Sequence, residues 1–149
     1  NIIGIGPSAM TSIDGHYFQN FYTLPNYSEK ISKNLNPIAR GWISNTDDII
    51  RRDVIFDIIN NGIVDKKKYE YRYKINFNEY FIKESTELLK LKKENLITEN
   101  LDYINETEIG KELRIYIANI FDIYKTYKHS KDFFDGKKAS DRIYQLRNS

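Results

Sequence analysis

The spacing of hydrophobic and polar positions changes period several times along this chain, and each change marks an element. The first five residues, Asn1-Ile-Ile-Gly-Ile5, form an apolar run that breaks into a Gly-rich turn over Gly4 to Met10. A continuous apolar run reads as a strand buried on both faces. No obvious partner strand follows for many tens of residues, so the run predicts a strand cut from a larger sheet. Residues 11–27 have no steady period and are expected to form a long irregular connection. A short helix is expected over Asn26 to Leu35 with Ser28 as its cap, followed by a second connection over Pro37 to Trp42.

The clearest helix is expected over residues 46–61. Ser44 to Asp48 supplies capping side chains and first-turn acids, and Asn60-Asn61-Gly62 supplies the stop. At about 100° per residue, Asp53, Asp57, Asn60 and Asn61 fall on one narrow face. Ile50, Val54, Ile55, Phe56, Ile58 and Ile59 spread over the rest, and Arg51 and Arg52 lie within that apolar arc. A shorter helix is expected over Lys66 to Tyr73. Asn76 and Glu79 form a capping box for a third helix that carries Phe77, Phe81, Leu88 and Leu91 down to Asn95. Leu96 to Thr98 and Tyr103-Ile104 read as two short strands around a turn at Asn100. A last long helix is expected to start at Glu106-Thr-Glu-Ile109 and to carry Leu113, Ile117, Ile120, Phe121 and Tyr124. Three helices, a small hairpin and a helix are the order of a winged-helix module. The tail after His129, rich in Lys, Asp and Ser, reads as loosely packed.

Composition narrows the chemistry. The chain has 149 residues, enough for one domain with an appendage. Its 23 basic and 21 acidic residues are mixed along the chain, so no strong field points to nucleic acid or an anionic membrane. It has no cysteine, which excludes disulfides and any thiolate or iron–sulfur site built from this chain alone. No stretch approaches the roughly 20 apolar residues of a membrane span, and the chain begins with neither Met nor a charged leader, as a fragment would.

Gly4-x-Gly6-x-x-Ala9 matches the dinucleotide fingerprint, but Pro7 and an irregular loop follow where a helix should start. The plainer reading is a strand end that brings its backbone close to a ligand or another loop. Ser8 lacks the context of a nucleophile elbow. His16 and His129 lie far apart, which argues against a metal site. Arg51 and Arg52 admit two readings, bidentate capture of a polycarboxylate substrate or an internal ion pair to Asp48, Asp53 or Asp57. A stand-alone DNA-binding module is the rival class. Its reading helix would present Lys83, Lys90, Lys92 and Lys93, but Glu79, Glu84, Glu87 and Glu94 nearly cancel them.

In order and approximate spacing, Gly4-Ile-Gly-Pro-Ser-Ala9, Tyr17-x-Gln19-Asn20, Arg40-Gly41, Asp47-Asp-Ile-Ile-Arg-Arg-Asp-Val-Ile55, Thr107-x-x-Gly110 and Phe121-Asp-Ile-Tyr124 resemble the C-terminal part of the oxygen-independent coproporphyrinogen III oxidase family. The resemblance runs over nearly the whole chain and fails in the tail. It implies a cytoplasmic radical S-adenosylmethionine enzyme of haem biosynthesis that binds a [4Fe–4S] cluster through three cysteines on an N-terminal partial α/β barrel. Such an enzyme uses a 5′-deoxyadenosyl radical to convert two propionates of coproporphyrinogen III to vinyls.

The resemblance implies a mainly α (α+β) fold with three parts. Residues 1–43 would be the last barrel strand and connecting loop, residues 44–127 a winged-helix-like domain covering the substrate, and residues 128–149 the tail. It implies S-adenosylmethionine contacts at Gly4, Gly6, Ser8, Ala9 and Met10, and substrate contacts at Tyr17, Gln19, Arg40, Arg51 and Arg52. This piece would carry no catalytic residue, would bind neither metal nor cofactor alone and would be inactive without the N-terminal barrel; no nucleic-acid or membrane partner is implied. Ile115-Tyr116 stands where the family often has Arg-Asn, which leaves open a paralogue acting on haem or another substrate.

Overall fold

The computed structural model describes residues 1–124 and the backbone of residues 143–144. The chain forms two compact units, one running from Asn1 to Thr46 and including residues 143–144, the other beginning at Asp47. Among the described residues each contains one antiparallel sheet, so the architecture is α+β.

In the first unit, β1 (Met10–Ile13) and β2 (His16–Asn20) form a hairpin, β3 (Ile38–Trp42) pairs with β2, and β7 (Ile143–Tyr144) pairs with β3. The hairpin replaces the expected irregular connection over residues 11–27. Its two-residue loop is Asp14-Gly15, with φ of 48° and 84°, the left-handed pair that matches the twist of a tight hairpin. Likewise, β3 replaces the expected connection over Pro37 to Trp42. The expected strand at Asn1 to Ile5 is reduced to a single bridge, Ile2 to Ser12 on the outer edge of β1. Ile2, Ile3 and Ile5 are exposed, Ile5 at 88 %, so the apolar run is not the buried strand its composition suggested.

Helix α1 (Leu24–Ser32) starts earlier than expected, because Pro25 occupies its first turn, where a missing N–H costs nothing. Thr23 is the N-cap, and Ser28 lies inside the helix rather than capping it.

In the second unit, α2 (Thr46–Asn61) has the expected bounds, with Asp47 and Asp48 in its first turn and Gly62 beyond its end at φ 70°. It buries Ile50, Val54 and Ile58. The strand β4 (Ile63–Asp65), absent from the sequence reading, leads into α3 (Lys66–Tyr73), whose first turn is capped by Asp65. The expected third helix is two, α4 (Phe77–Tyr80) and α5 (Ser85–Lys93). The Asn76 side chain caps α4 as expected. The break falls at residues 81–84, where Glu84 turns inward to Arg51, a tertiary contact that overrides local periodicity.

Strands β5 (Ile97–Glu99) and β6 (Tyr103–Glu106) form the expected hairpin, and β4 joins it to give the order β4-β6-β5. The expected long last helix is also two, α6 (Glu108–Lys111) and α7 (Arg114–Ala118). They separate at Leu113, where Arg114 reaches back to Glu106. Tyr69, Phe77, Phe81 and Phe121 centre the apolar core, with the Phe81 and Phe121 rings edge to face at 5.1 Å. The tail expected over residues 128–149, with His129, lies outside the described residues except for β7.

Candidate functional site

The turn Gly4 to Met10 is shaped by polar side chains of the β1–β2 hairpin. Ile2 exchanges two backbone hydrogen bonds with Ser12, at 2.7 and 2.8 Å, which lays the first residues along the edge of β1. The Gly4 N–H then donates to Thr11 Oγ1 at 3.0 Å, and the Asn20 side-chain amide donates to the carbonyls of Gly4 and Gly6 at 3.3 and 3.0 Å. A Cβ on Gly4 would lie 2.4 Å from the Met10 carbonyl oxygen, so this approach admits only glycine. Farther along, Gly6 donates to the Tyr27 hydroxyl and Ser8 to the Phe21 carbonyl. Gly6 and Ser8 both have positive φ, 105° and 58°.

The N–H groups of Gly4, Gly6, Ser8 and Ala9 are spent inside the unit, so the glycines and alanine of the fingerprint offer no amide to a phosphate. A strand follows the turn rather than a helix. The dinucleotide fingerprint at Gly4-x-Gly6-x-x-Ala9 is therefore a coincidence of spacing. At Gly6 an added Cβ would meet nothing within 4 Å, so that side of the turn faces open space.

Pairing register brings four of the singled-out residues onto one sheet face. Met10 aligns with Gln19 and Gln19 with Arg40, while Tyr17 lies two residues before Gln19. Paired residues and alternate residues share a face, so Met10, Tyr17, Gln19 and Arg40 line one side. Gln19 links this face to the turn. Its Oε1 accepts two hydrogen bonds from Arg40, at 2.8 and 2.6 Å, and its Nε2 donates to the Ser8 carbonyl at 3.0 Å. Met10 itself is 45 % exposed.

Arg51 and Arg52 lie in the second unit, bound to carboxylates. Arg51 pairs with Asp47 at 2.9 Å and Glu84 at 2.6 Å, donates to the Phe121 carbonyl and lies over the Phe81 ring. Burial pulls its pKa down, but hydrogen bonds and charge from Glu84 and Asp47 outweigh that and raise it. Glu84 keeps one buried oxygen, Oε2, without a hydrogen-bond partner. Arg52 pairs with Asp53 at 2.8 Å. The internal ion pair is thus present in both cases, with partners other than expected for Arg51. Asp48 accepts from the Tyr124 hydroxyl, and Asp57 takes Lys68 and Tyr69.

Two open clefts in the second unit, about 230 and 560 Å³, share Tyr116 and Asn119 and touch none of the residues expected to meet S-adenosylmethionine or the substrate. Among the described residues no group of three or more His, Cys, Asp or Glu is placed to hold a metal, and no helix is long and apolar enough to cross a membrane. Thr11, Asn20 and Tyr27 are the residues of the turn that the sequence did not single out as site residues. Asn20 stood beside Gln19 in a segment already noted, but nothing in its spacing says that its amide meets a backbone 14 to 16 residues earlier.

No family model matches the chain. The chain is 33 % identical to the oxygen-independent coproporphyrinogen III oxidase of Salmonella typhimurium over 128 residues, which are 86 % of this chain and 28 % of that protein. It is 32 % identical to the Escherichia coli protein of that name over 131 residues, 88 % of this chain and 28 % of the other. The Synechocystis protein of that name is 28 % identical over 138 residues, 90 % of this chain and 30 % of the other. Among solved structures, coproporphyrinogen III oxidase (HemN) from Escherichia coli, a radical SAM enzyme, superposes with a TM-score of 0.78 at 33 % identity, covering 82 % of this chain and 28 % of that one. The chain thus spans less than a third of the length of these relatives.

Proposed function

We propose, with kinship to the oxygen-independent coproporphyrinogen III oxidases as the premise, that this chain is the substrate-covering C-terminal part of such an enzyme. The observation that carries the proposal is one alignment in two forms, a sequence match and a backbone match over more than four-fifths of the chain. The whole protein would be cytoplasmic and would convert two propionates of coproporphyrinogen III to vinyls with loss of carbon dioxide. S-adenosylmethionine and a [4Fe–4S] cluster would supply the hydrogen abstraction that starts this. The cluster does not fit this chain, which has no cysteine, and would be held by residues outside it.

Residues 1–43 are then the rim contributed to the catalytic barrel, and residues 44–127 the covering domain. The order helix, strand, three helices, strand, strand from α2 to β6, with the single turn of α4 between α3 and α5 and with β6 central in its sheet, supports the winged-helix-like reading. Gly4, Gly6, Ser8, Ala9 and Met10 meet S-adenosylmethionine. The turn suits a nucleoside without phosphate, because the amides of Gly4, Gly6, Ser8 and Ala9 are spent and the side of Gly6 is open. Tyr17, Gln19 and Arg40 face the substrate from the sheet, where the Arg40 guanidinium supplies the cation a carboxylate needs. For Arg51 and Arg52, the ion pairs support the alternative role of fixing the domain.

The test is an anaerobic assay of the native gene product with coproporphyrinogen III and S-adenosylmethionine, read by mass spectrometry. The proposal expects loss of two carbon dioxide units per substrate in a protein that carries a Cys-x-x-x-Cys-x-x-Cys segment, and no turnover by the 149-residue chain. A native product without cysteine, or turnover by this chain alone, would overturn it.

A further inference from the structure

We infer that Asn20 and Thr11 are positioning residues that impose the shape of the Gly4–Ala9 turn; their consequence for S-adenosylmethionine rests on the cofactor-rim reading above. Both side chains are buried, Asn20 at 5 % and Thr11 at 8 % exposure, in a unit that otherwise buries little. Buried polar groups cost free energy unless paired, and these two are paired to the backbone of the turn. Thr11 accepts the Gly4 N–H, while Asn20 donates both amide hydrogens to the carbonyls of Gly4 and Gly6. Gly4 is thereby gripped at its N–H and its C=O from two adjacent strands.

The backbone of Asn20 closes the other end of the turn, its N–H donating to the Ala9 carbonyl at 3.0 Å. The same residue therefore meets the turn at Gly4, Gly6 and Ala9. The register irregularity between Gln19 and Asn20 falls at this point. Strand alternation puts Gln19 on the face of Arg40 while Asn20 points under the turn. One dipeptide thus serves the face and the turn at once.

The test is hydrogen exchange resolved to single amides by fragmentation mass spectrometry on the native full-length protein carrying Asn20→Asp, which keeps the shape but replaces the donor with a carboxylate facing two carbonyls. Exchange at Gly4 and Gly6 should accelerate at least about tenfold, while amides of the β2–β3 ladder change less than about twofold. Thr11→Val should release Gly4 to a similar extent, and Thr11→Ser, which keeps the acceptor, should restore its protection. Uniform acceleration across the sheet, or no change at Gly4 and Gly6, would overturn the assignment. If Asn20→Asp does not fold, the Thr11→Val and Thr11→Ser pair decides by the same criterion. Equilibrium dialysis of S-adenosylmethionine against the native full-length protein separates the underlying reading. An Asn20→Asp protein with a loosened turn and a Kd raised at least about tenfold supports both. A loosened turn with unchanged Kd leaves the positioning role standing and overturns the cofactor rim.

Discussion

The second unit holds its shape by what it buries, and the first by what it hydrogen-bonds. From Asp47 onward, fifteen buried apolar residues among those described form one cluster running through α2, both hairpin strands, α5 and Phe121. In the first unit, Trp42 is the sole large apolar side chain buried among the described residues, alongside the polar Thr11, Asn20 and Ser44. Ile2, Ile3, Ile5, Leu24 and Ile31 are exposed there. A close-packed core tolerates few shapes, whereas a sheet with side chains tied to a backbone turn can be rigid at that turn without a large core. The contrast separates scaffold from site, since the residues proposed to meet the cofactor all belong to the sparsely buried unit.

Truncation in the core should give the largest effect. Phe121→Ala should destabilise the second unit by about 3–5 kcal/mol in urea unfolding; a much smaller loss would mean that the core is not continuous. Arg51→Met should cost about 3 kcal/mol, because it strands the buried Glu84, and adding Glu84→Leu should recover most of that. If the double variant is no better than the single one, the pair is more than mutual compensation. Gly4→Ala should cost roughly 1–3 kcal/mol through its collision with the Met10 carbonyl, with shifts in the NMR spectrum confined to the first unit.

Alkaline pH should act selectively on the second unit. Burial, then the hydrogen bonds to Asp53 and Asp47, push Tyr73 and Tyr80 up to about 12. Their raised values mean that the contribution is complete below about pH 10, where a free phenol titrates, and is lost as pH rises to about 12. On the acid side Asp53 works in the opposite sense. Burial raises it, but Tyr73, Arg52 and Arg72 together hold it below the usual carboxylate value. Its contribution is therefore present above that value and lost as pH falls through the lowered one. Urea midpoints across both ranges check the signs. The smallest effect is expected from Ile5→Lys, within about 0.5 kcal/mol, because the side chain is exposed.

The same contrast explains what was legible in the sequence. In α2, α3 and the β5–β6 hairpin, caps, stops and periodicity coincide, and the sequence reading located each of them. The breaks at residues 81–84 and at Leu113 were hidden, because Glu84 and Arg114 answer to residues 33 and 8 positions earlier. In the first unit the Asp14-Gly15 turn was present in the sequence, but the apolar run at Asn1 to Ile5 drew the strand assignment to the wrong place. Its polar grip was opaque, since Thr11 and Asn20 look like ordinary strand residues until the turn is folded over them. The face shared by Met10, Tyr17, Gln19 and Arg40 follows only from the pairing register.

The most direct test of the assignment of chemistry to the first unit is photocrosslinking of radiolabelled S-adenosylmethionine to the native, anaerobically purified protein, followed by peptide mapping. Within this chain, label is expected on peptides spanning Gly4 to Met10, and not on peptides from α2 to α7. Label confined to the second unit, or absent from the Gly4–Met10 turn while present elsewhere in the protein, would contradict it.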